Sequence, residues 1–176
     1  QPSSEISRIN REAADGPVEV EPRLFSLLEL AMRLYRESQG AYDITAGPLW
    51  EIWGFARRAG AVPSPEQLAE VREHVGSHLL ELDSRLNTVR FLAPGVQITL
   101  GSIDKGFAVD CAAERLVEAG VQDFLVHGGN SSVLARGSRR EDQGWSVGVR
   151  NPCVLDRRLG EVLLRDQALG TSGSQF

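Results

Sequence analysis

Apolar residues recur at three- and four-residue spacing in three stretches and alternate with polar residues in several others. From Pro22, the positions Leu24, Leu27, Leu28, Ala31, Leu34 and Tyr35 line one face of a predicted helix, with Arg23, Arg33, Arg36 and Glu37 on the other. Pro22 suits its first turn and Gly40 its C′ stop. A second helix is predicted over 65–75. Ser64 caps it, Pro65 opens it, Gln67 completes a capping box and Gly76 stops it. A third, over 104–119, buries Phe107, Val109, Ala112, Ala113, Leu116 and Val117 and ends at Gly120. Ser3-Ser4 before the spaced apolar residues of 5–10 predicts a short helical turn. Alternation predicts strands at 18–20, 133–137, 145–149 and 160–165, and a hairpin from 79–83 and 88–92. The apolar runs 96–100 and 121–126 flank the third helix and suggest a βαβ unit. The fold class read from this order is α+β, a mixed sheet with packed helices.

The chain has 176 residues, which suits one domain with a real core. Hydrophobic content of 41% and charged content of 24% are ordinary for a globular protein. A net charge of −5 leaves no electrostatic footprint for nucleic acid. No run approaches the roughly 20 apolar residues of a membrane span. No signal segment is visible, yet the chain opens at Gln1-Pro2 without Met and reads as a piece of a longer precursor. Cys111 and Cys153 form no CxxC and read as two small semi-buried residues. His74 and His78 stand at i, i+4, but Gly76 breaks the register between them and no third ligand accompanies them; they read as surface residues.

Candidate chemistry concentrates in Gly101-Ser102-Ile103-Asp104-Lys105-Gly106-Phe107-Ala108-Val109-Asp110. A strand that breaks at glycine and restarts as a helix exposes backbone N–H groups and a helix dipole that favour an anion. Among 19 cationic residues, Lys105 is the only lysine, a compact point charge where the chain otherwise writes Arg. Phosphate binding and an ordinary helix start with a solvated Lys both fit these residues. A second concentration follows Gly40: Tyr42, Trp50, Trp53 and Phe55 are four of eleven aromatic residues. On a glycine-bent frame they could hold a flat ligand. For Trp50, Trp53 and Phe55 the expected role is a core plug under the loop; for Tyr42 and Asp43, ligand contact and structure stay open. Gly128-Gly129 at a strand end permits close backbone approach. Gly170-Thr171-Ser172-Gly173-Ser174 offers hydroxyls for a phosphate or a turn.

Taken together, seven segments in order resemble the ApbE-like family of flavin transferases. They are Ser4-Glu5-Ile6-Ser7-Arg8-Ile9-Asn10, Gly40-Ala41-Tyr42-Asp43-Ile44-Thr45-Ala46-Gly47-Pro48-Leu49, Trp53-Gly54-Phe55, Val62-Pro63-Ser64, Lys105-Gly106-Phe107-Ala108-Val109-Asp110, Gly128-Gly129-Asn130 and Thr171-Ser172-Gly173. The resemblance implies one flavin-binding α+β domain over 1–176 that lacks the family's C-terminal segment. It implies an FAD:protein FMN transferase: Mg²⁺-dependent attack on the FAD pyrophosphate passes FMN to a Thr or Ser hydroxyl of a target flavoprotein and releases AMP. A Mg²⁺-dependent FAD pyrophosphatase and a non-catalytic FAD-binding homologue are the alternatives. By matching position, Ala41, Tyr42, Asp43, Thr99 and Lys105 would contact FAD, and the Ser102 carbonyl would contribute to the Mg²⁺ site.

This sequence departs from the family pattern at Thr99, often an acid in relatives, at Asp104, usually a small residue, and at His127, commonly Asn. The family's catalytic Asp would fall after Phe176, so no catalytic residue is assigned here. By the same resemblance the protein belongs in the bacterial periplasm or cell envelope, with membrane anchoring through an N-terminal lipoprotein segment; a cytoplasmic location is the alternative.

Overall fold

The computed structural model describes residues 4–55, 62–129, 131–140, 142–154 and 156–172. They fall into two compact units, 1–102 and 103–176.

In the first unit, helix α1 (Glu5–Glu12) starts at Ser4, whose side chain accepts a hydrogen bond from the Ser7 N–H. Strand β1 (Val18–Glu19) leads to helix α2 (Pro22–Glu37), where the Glu21 carboxylate accepts from the N–H groups of Arg23 and Leu24. Helix α2 buries Phe25, Leu27, Leu28 and Ala31, while Leu24, Leu34 and Tyr35 are only half-buried. Full burial of each large apolar side chain contributes on the order of 1.5–3 kcal/mol.

The helix ends in a Schellman motif: Gly40 N–H donates to Tyr35 O and Gln39 N–H to Arg36 O. The C′ position therefore belongs to Gln39, at φ 54°, and the expected stop residue Gly40 follows it at φ 85°. Helix α3 (Gly47–Ile52) buries nothing. Helix α4 (Pro65–Arg72) carries the expected capping box between Ser64 and Gln67. Strands β2 (Leu80–Asp83) and β3 (Thr88–Phe91) form the expected hairpin, and β1 adds to the far side of β3, giving the order β1-β3-β2.

Residues 96–100 differ from expectation. Val96, Ile98 and Leu100 are buried and Thr99 is exposed, as in a strand, yet the stretch belongs to no sheet. Its hydrogen bonds go elsewhere. The Asn10 side chain takes both main-chain groups of Ile98, accepting from its N–H at 2.9 Å and donating to its carbonyl at 2.9 Å. Thr99 N–H donates to Ile44 O at 2.7 Å. An amide side chain thus supplies what a neighbouring strand normally would.

In the second unit, helix α5 (Asp104–Glu118) ends as the sequence indicates: Gly120 N–H donates to Val117 O and Val121 N–H to Leu116 O. It buries Val109 and Ala113; the expected inward residue Ala112 is exposed. Strands β4 (Phe124–Gly128), β5 (Ser132–Arg136) and β8 (Gln167–Gly170) form one sheet in the order β4-β5-β8, against which α5 packs through β4 and β5. Strands β6 (Trp145–Arg150) and β7 (Arg158–Leu164) form a two-stranded sheet. Val133, Ala135 and Leu164 centre the core here, with Leu125, Trp145, Val147 and Leu169 against them. Trp145 Nε1 donates to Arg136 O at 3.0 Å.

The fold is α+β, as read from the sequence. Among the described residues, however, every strand pairing is antiparallel, where a βαβ unit and a mixed sheet were expected. The reason is local: 96–100 is no strand, so no parallel partner arises from it, and β4 turns back directly into β5.

Candidate functional site

The candidate residues of the first unit meet where the loop after α2 faces the 96–102 segment. Ala41 is exposed and Tyr42 half-buried. Ser38 Oγ accepts from Tyr42 N–H at 2.9 Å, tying the loop to the helix end. The Ser102 hydroxyl donates to the Tyr42 phenol oxygen at 3.3 Å, and the Thr99 N–H bond to Ile44 O runs beside Asp43. Ala41, Tyr42, Asp43, Thr99 and Ser102 therefore share one region.

Asp43 is the anchor of that region. Its Oδ1 accepts from Thr45 N–H at 2.8 Å, Thr45 Oγ1 at 2.6 Å and Ser77 Oγ at 2.7 Å; its Oδ2 accepts from Ser77 N–H at 3.1 Å. Thr45 Oγ1 in turn accepts from Gly76 N–H at 2.7 Å. Thr45 and Ser77 are both fully buried. Buried polar groups need partners, and Asp43 supplies them. The Asp43-x-Thr45 half of this network is an Asx turn readable from sequence. Thr45 and Ser77 themselves were missed, and nothing local to Ser77 signals its partner 34 positions away.

The aromatic cluster overturns an expectation. Trp50 and Phe55 are each 57% exposed, and Trp53 is half-buried, so these residues are no core plug. Trp50 and Phe55 lie 5.2 Å apart between ring centroids, and Trp53 stacks on Phe55 at 6.2 Å. Only Trp50 lies within helix α3; Trp53 is its C-cap and Phe55 follows Gly54, and six residues are too few to form a buried stripe.

In the second unit, Ile103 stands at the N-cap of α5 and makes no side-chain cap, so among the described residues no capping side chain takes the first-turn N–H groups of the helix. Asp104 and Lys105 are exposed in that turn. Lys105 Nζ donates to Ser131 Oγ at 2.8 Å. Gly106 is exposed, and a Cβ built on it would meet nothing within 4 Å. Glycine costs a helix about 0.5–1 kcal/mol relative to alanine, and packing of the described residues does not require it here. Further along α5, Asp110 has its pKa raised above the ordinary value, first by desolvation and then by the Glu114 carboxylate. His127 is exposed on β4. Thr171 N–H donates to Ser131 O at 2.8 Å; Asn130, Gly173 and Ser174 lie outside the described residues.

Among the described residues no group of three His, Cys, Asp or Glu side chains could hold a metal. Mg²⁺ asks for about six oxygen ligands, several of them usually water. The resemblance implies one such ligand here, the Ser102 carbonyl, so these residues alone would not make the site, and no chemical step is derived through the ion. His78 is exposed and 3.4 Å from the Tyr35 hydroxyl, as a surface residue should be. His74 is instead half-buried, with Nδ1 buried and unpartnered among the described residues. Cys111 is half-buried and Cys153 exposed, both free.

The ApbE family matches residues 1–175. The chain belongs to the ApbE family. It is 33% identical over 176 residues to the FAD:protein FMN transferase of Haemophilus influenzae, covering 97% of this chain and 51% of that protein. The solved flavin transferase ApbE from Vibrio cholerae superposes with a TM-score of 0.86 at 30% identity, covering 99% of this chain and 56% of that one. The ApbE protein of Thermotoga maritima also gives 0.86, at 31% identity over 97% of this chain and 55% of its own. This ApbE chain thus spans about half the length of the relatives it matches.

Proposed function

We propose that the protein to which this chain belongs is an FAD:protein FMN transferase that carries FMN from FAD to a Thr or Ser hydroxyl of a target flavoprotein. The observation that carries this reading is the family match across residues 1–175, together with relatives that bear that name, among them one 33% identical. In the reaction the acceptor hydroxyl gives up its proton to solvent as its oxygen bonds to the FMN-side phosphorus, the pyrophosphate P–O bond breaks, and AMP leaves with the bridging oxygen. Such a transfer needs mainly positioned phosphates and neutralised charge. Lys105 would supply positive charge to the pyrophosphate. Exposed Ala41 and half-buried Tyr42, on a loop anchored through Asp43, would meet the flavin nucleotide, as would Thr99.

Mg²⁺ belongs to this reading, with the Ser102 carbonyl as one ligand. So do a single FAD-binding domain over 1–176, a cell-envelope location and an N-terminal membrane anchor.

The test is the full-length protein with Mg²⁺, FAD and candidate acceptor flavoproteins. Release of AMP with fluorescence on the acceptor supports the transferase. AMP without labelled acceptor points to a pyrophosphatase, and FAD binding without turnover to a binding homologue. Lys105→Ala should weaken FAD binding about tenfold, the value of a hydrogen bond to a charged group, while exposed Arg140→Ala should not. Equal affinities in the two variants would remove Lys105 from the site.

A further inference from the structure

The ammonium of Lys105 does not hang free in solvent: it is held 2.8 Å from the Ser131 hydroxyl oxygen. An ammonium can only donate, so Ser131 Oγ accepts, and its own O–H proton remains to be given to another group. Two further N–H bonds of Lys105 are likewise left over among the described residues. The backbone beneath the hydroxyl is fixed on both sides. Ser131 N–H donates to Gly128 O at 3.3 Å, and Ser131 O accepts from Thr171 N–H at 2.8 Å and from Thr171 Oγ1 at 3.4 Å.

Glycine makes this approach feasible. A Cβ on Gly128 would sit 3.2 Å from Val109 Cγ2 and 3.5 Å from Lys105 O, so a larger residue would push the end of β4 away from the first turns of α5. The sheet end therefore reaches the helix start closely enough for one side chain to hold the other.

We propose that Ser131 is a phosphate-binding residue that works as a pair with Lys105. The ammonium and the hydroxyl present donors side by side to the oxygens of one pyrophosphate, and Ser131 also fixes where the flexible lysine puts its charge. A lysine that must find one geometry loses side-chain entropy on binding, and a partner already holding it removes part of that loss. This rests on the FAD-binding reading above.

The experiment is FAD titration, by calorimetry, of the full-length protein as wild type, Ser131→Ala, Ser131→Thr and Ser132→Ala, with melting curves to establish that each is folded. Ser131→Ala should lose about tenfold in FAD affinity. Ser131→Thr, which restores the hydroxyl, should return to within about threefold of wild type, and Ser132→Ala should match it. In a Lys105→Ala background, Ser131→Ala should cost under about threefold, because the pair acts as one unit. Unchanged affinity in Ser131→Ala, failure of threonine to rescue it, or full additivity with Lys105→Ala would each overturn the proposal while leaving the FAD reading intact. A wild-type protein that binds no FAD would overturn both.

Discussion

Removing the Asp43 carboxylate should destabilise the first unit far more than loss of an exposed loop acid would. Asp43→Ala deletes the acceptor for four hydrogen bonds, from the N–H and hydroxyl of Thr45 and the N–H and hydroxyl of Ser77. The two hydroxyls can rotate toward other acceptors. The two N–H groups cannot, and both residues are fully buried, so water does not reach them. Each stranded N–H costs about 1–3 kcal/mol, and loss of a charged acceptor adds to this, giving about 3–5 kcal/mol in all. For a chain of this size 1 kcal/mol moves the melting temperature by about 2–4 °C, so Asp43→Ala should melt roughly 6–20 °C lower.

Two partial variants grade the effect. Asp43→Asn can keep an oxygen at the three-donor position but faces the Ser77 N–H with an amide donor; it should cost about 1–2 kcal/mol. Thr45→Val leaves Asp43 in place but strands the Gly76 N–H, at about 1–3 kcal/mol. Because Thr45 and Asp43 share bonds, the double variant should lose less than the sum of the singles. Thermal unfolding followed by circular dichroism measures all three. An Asp43→Ala protein melting within about 2 °C of wild type would refute the network's role and leave Asp43 as a ligand residue only.

Two further substitutions separate folding from binding. Gly106→Ala should stabilise the ligand-free protein by about 0.5–1 kcal/mol, since the helix gains alanine's propensity and the added methyl has open space, while FAD affinity falls about tenfold if the dinucleotide approaches this turn; a stabilised variant with wild-type affinity would show that it does not. Asn10→Ala strands both main-chain groups of buried Ile98 and should lower stability by about 2–4 kcal/mol in urea unfolding, with Asn10→Asp between it and wild type because a carboxylate serves the N–H but repels the carbonyl; an Asn10→Ala midpoint equal to wild type would return 96–100 to its own apolar packing.

The contrast between helix ends and the 96–100 segment shows which features are legible in the amino-acid sequence. Caps are short-range chemistry. Ser64 and Gln67, Pro22, and Gly120 act within a few residues of themselves, so their meaning survives in the bare sequence. Alternation in 96–100 correctly reported which side chains face inward, because burial imposes that period. It could not report pairing, since the partner proved to be a side chain 88 positions away. The same limit hid Ser77 and Ser131, each defined by a distant contact. The tryptophans failed for a different reason. Aromatic identity argues for burial on average, but a six-residue helix and the short stretch after it through Gly54 have too little surface to bury three large rings.

Family motifs combine residues kept for different physical reasons, and the structure begins to separate them. In the Ala41-Tyr42-Asp43 segment, Ala41 is exposed and Tyr42 half-buried with its phenol oxygen accepting from Ser102, while Asp43 turns its carboxylate to Thr45 and Ser77. A loss of FAD binding in an Asp43 variant would therefore not by itself make Asp43 a ligand contact, because the loop that carries Tyr42 would have lost its anchor. Lys105 and Gly106 are the converse case. The lysine is exposed and, among the described residues, hydrogen-bonds through its side chain to Ser131 alone, and the glycine has no described neighbour that demands it. Residues with so little structural duty can be changed with small cost to the fold, so a defect at either one reports on the ligand directly. If FAD affinity instead tracked melting temperature across Asp43, Lys105 and Gly106 variants alike, the motif would be scaffold throughout, and the anion reading of the α5 start would lose its support.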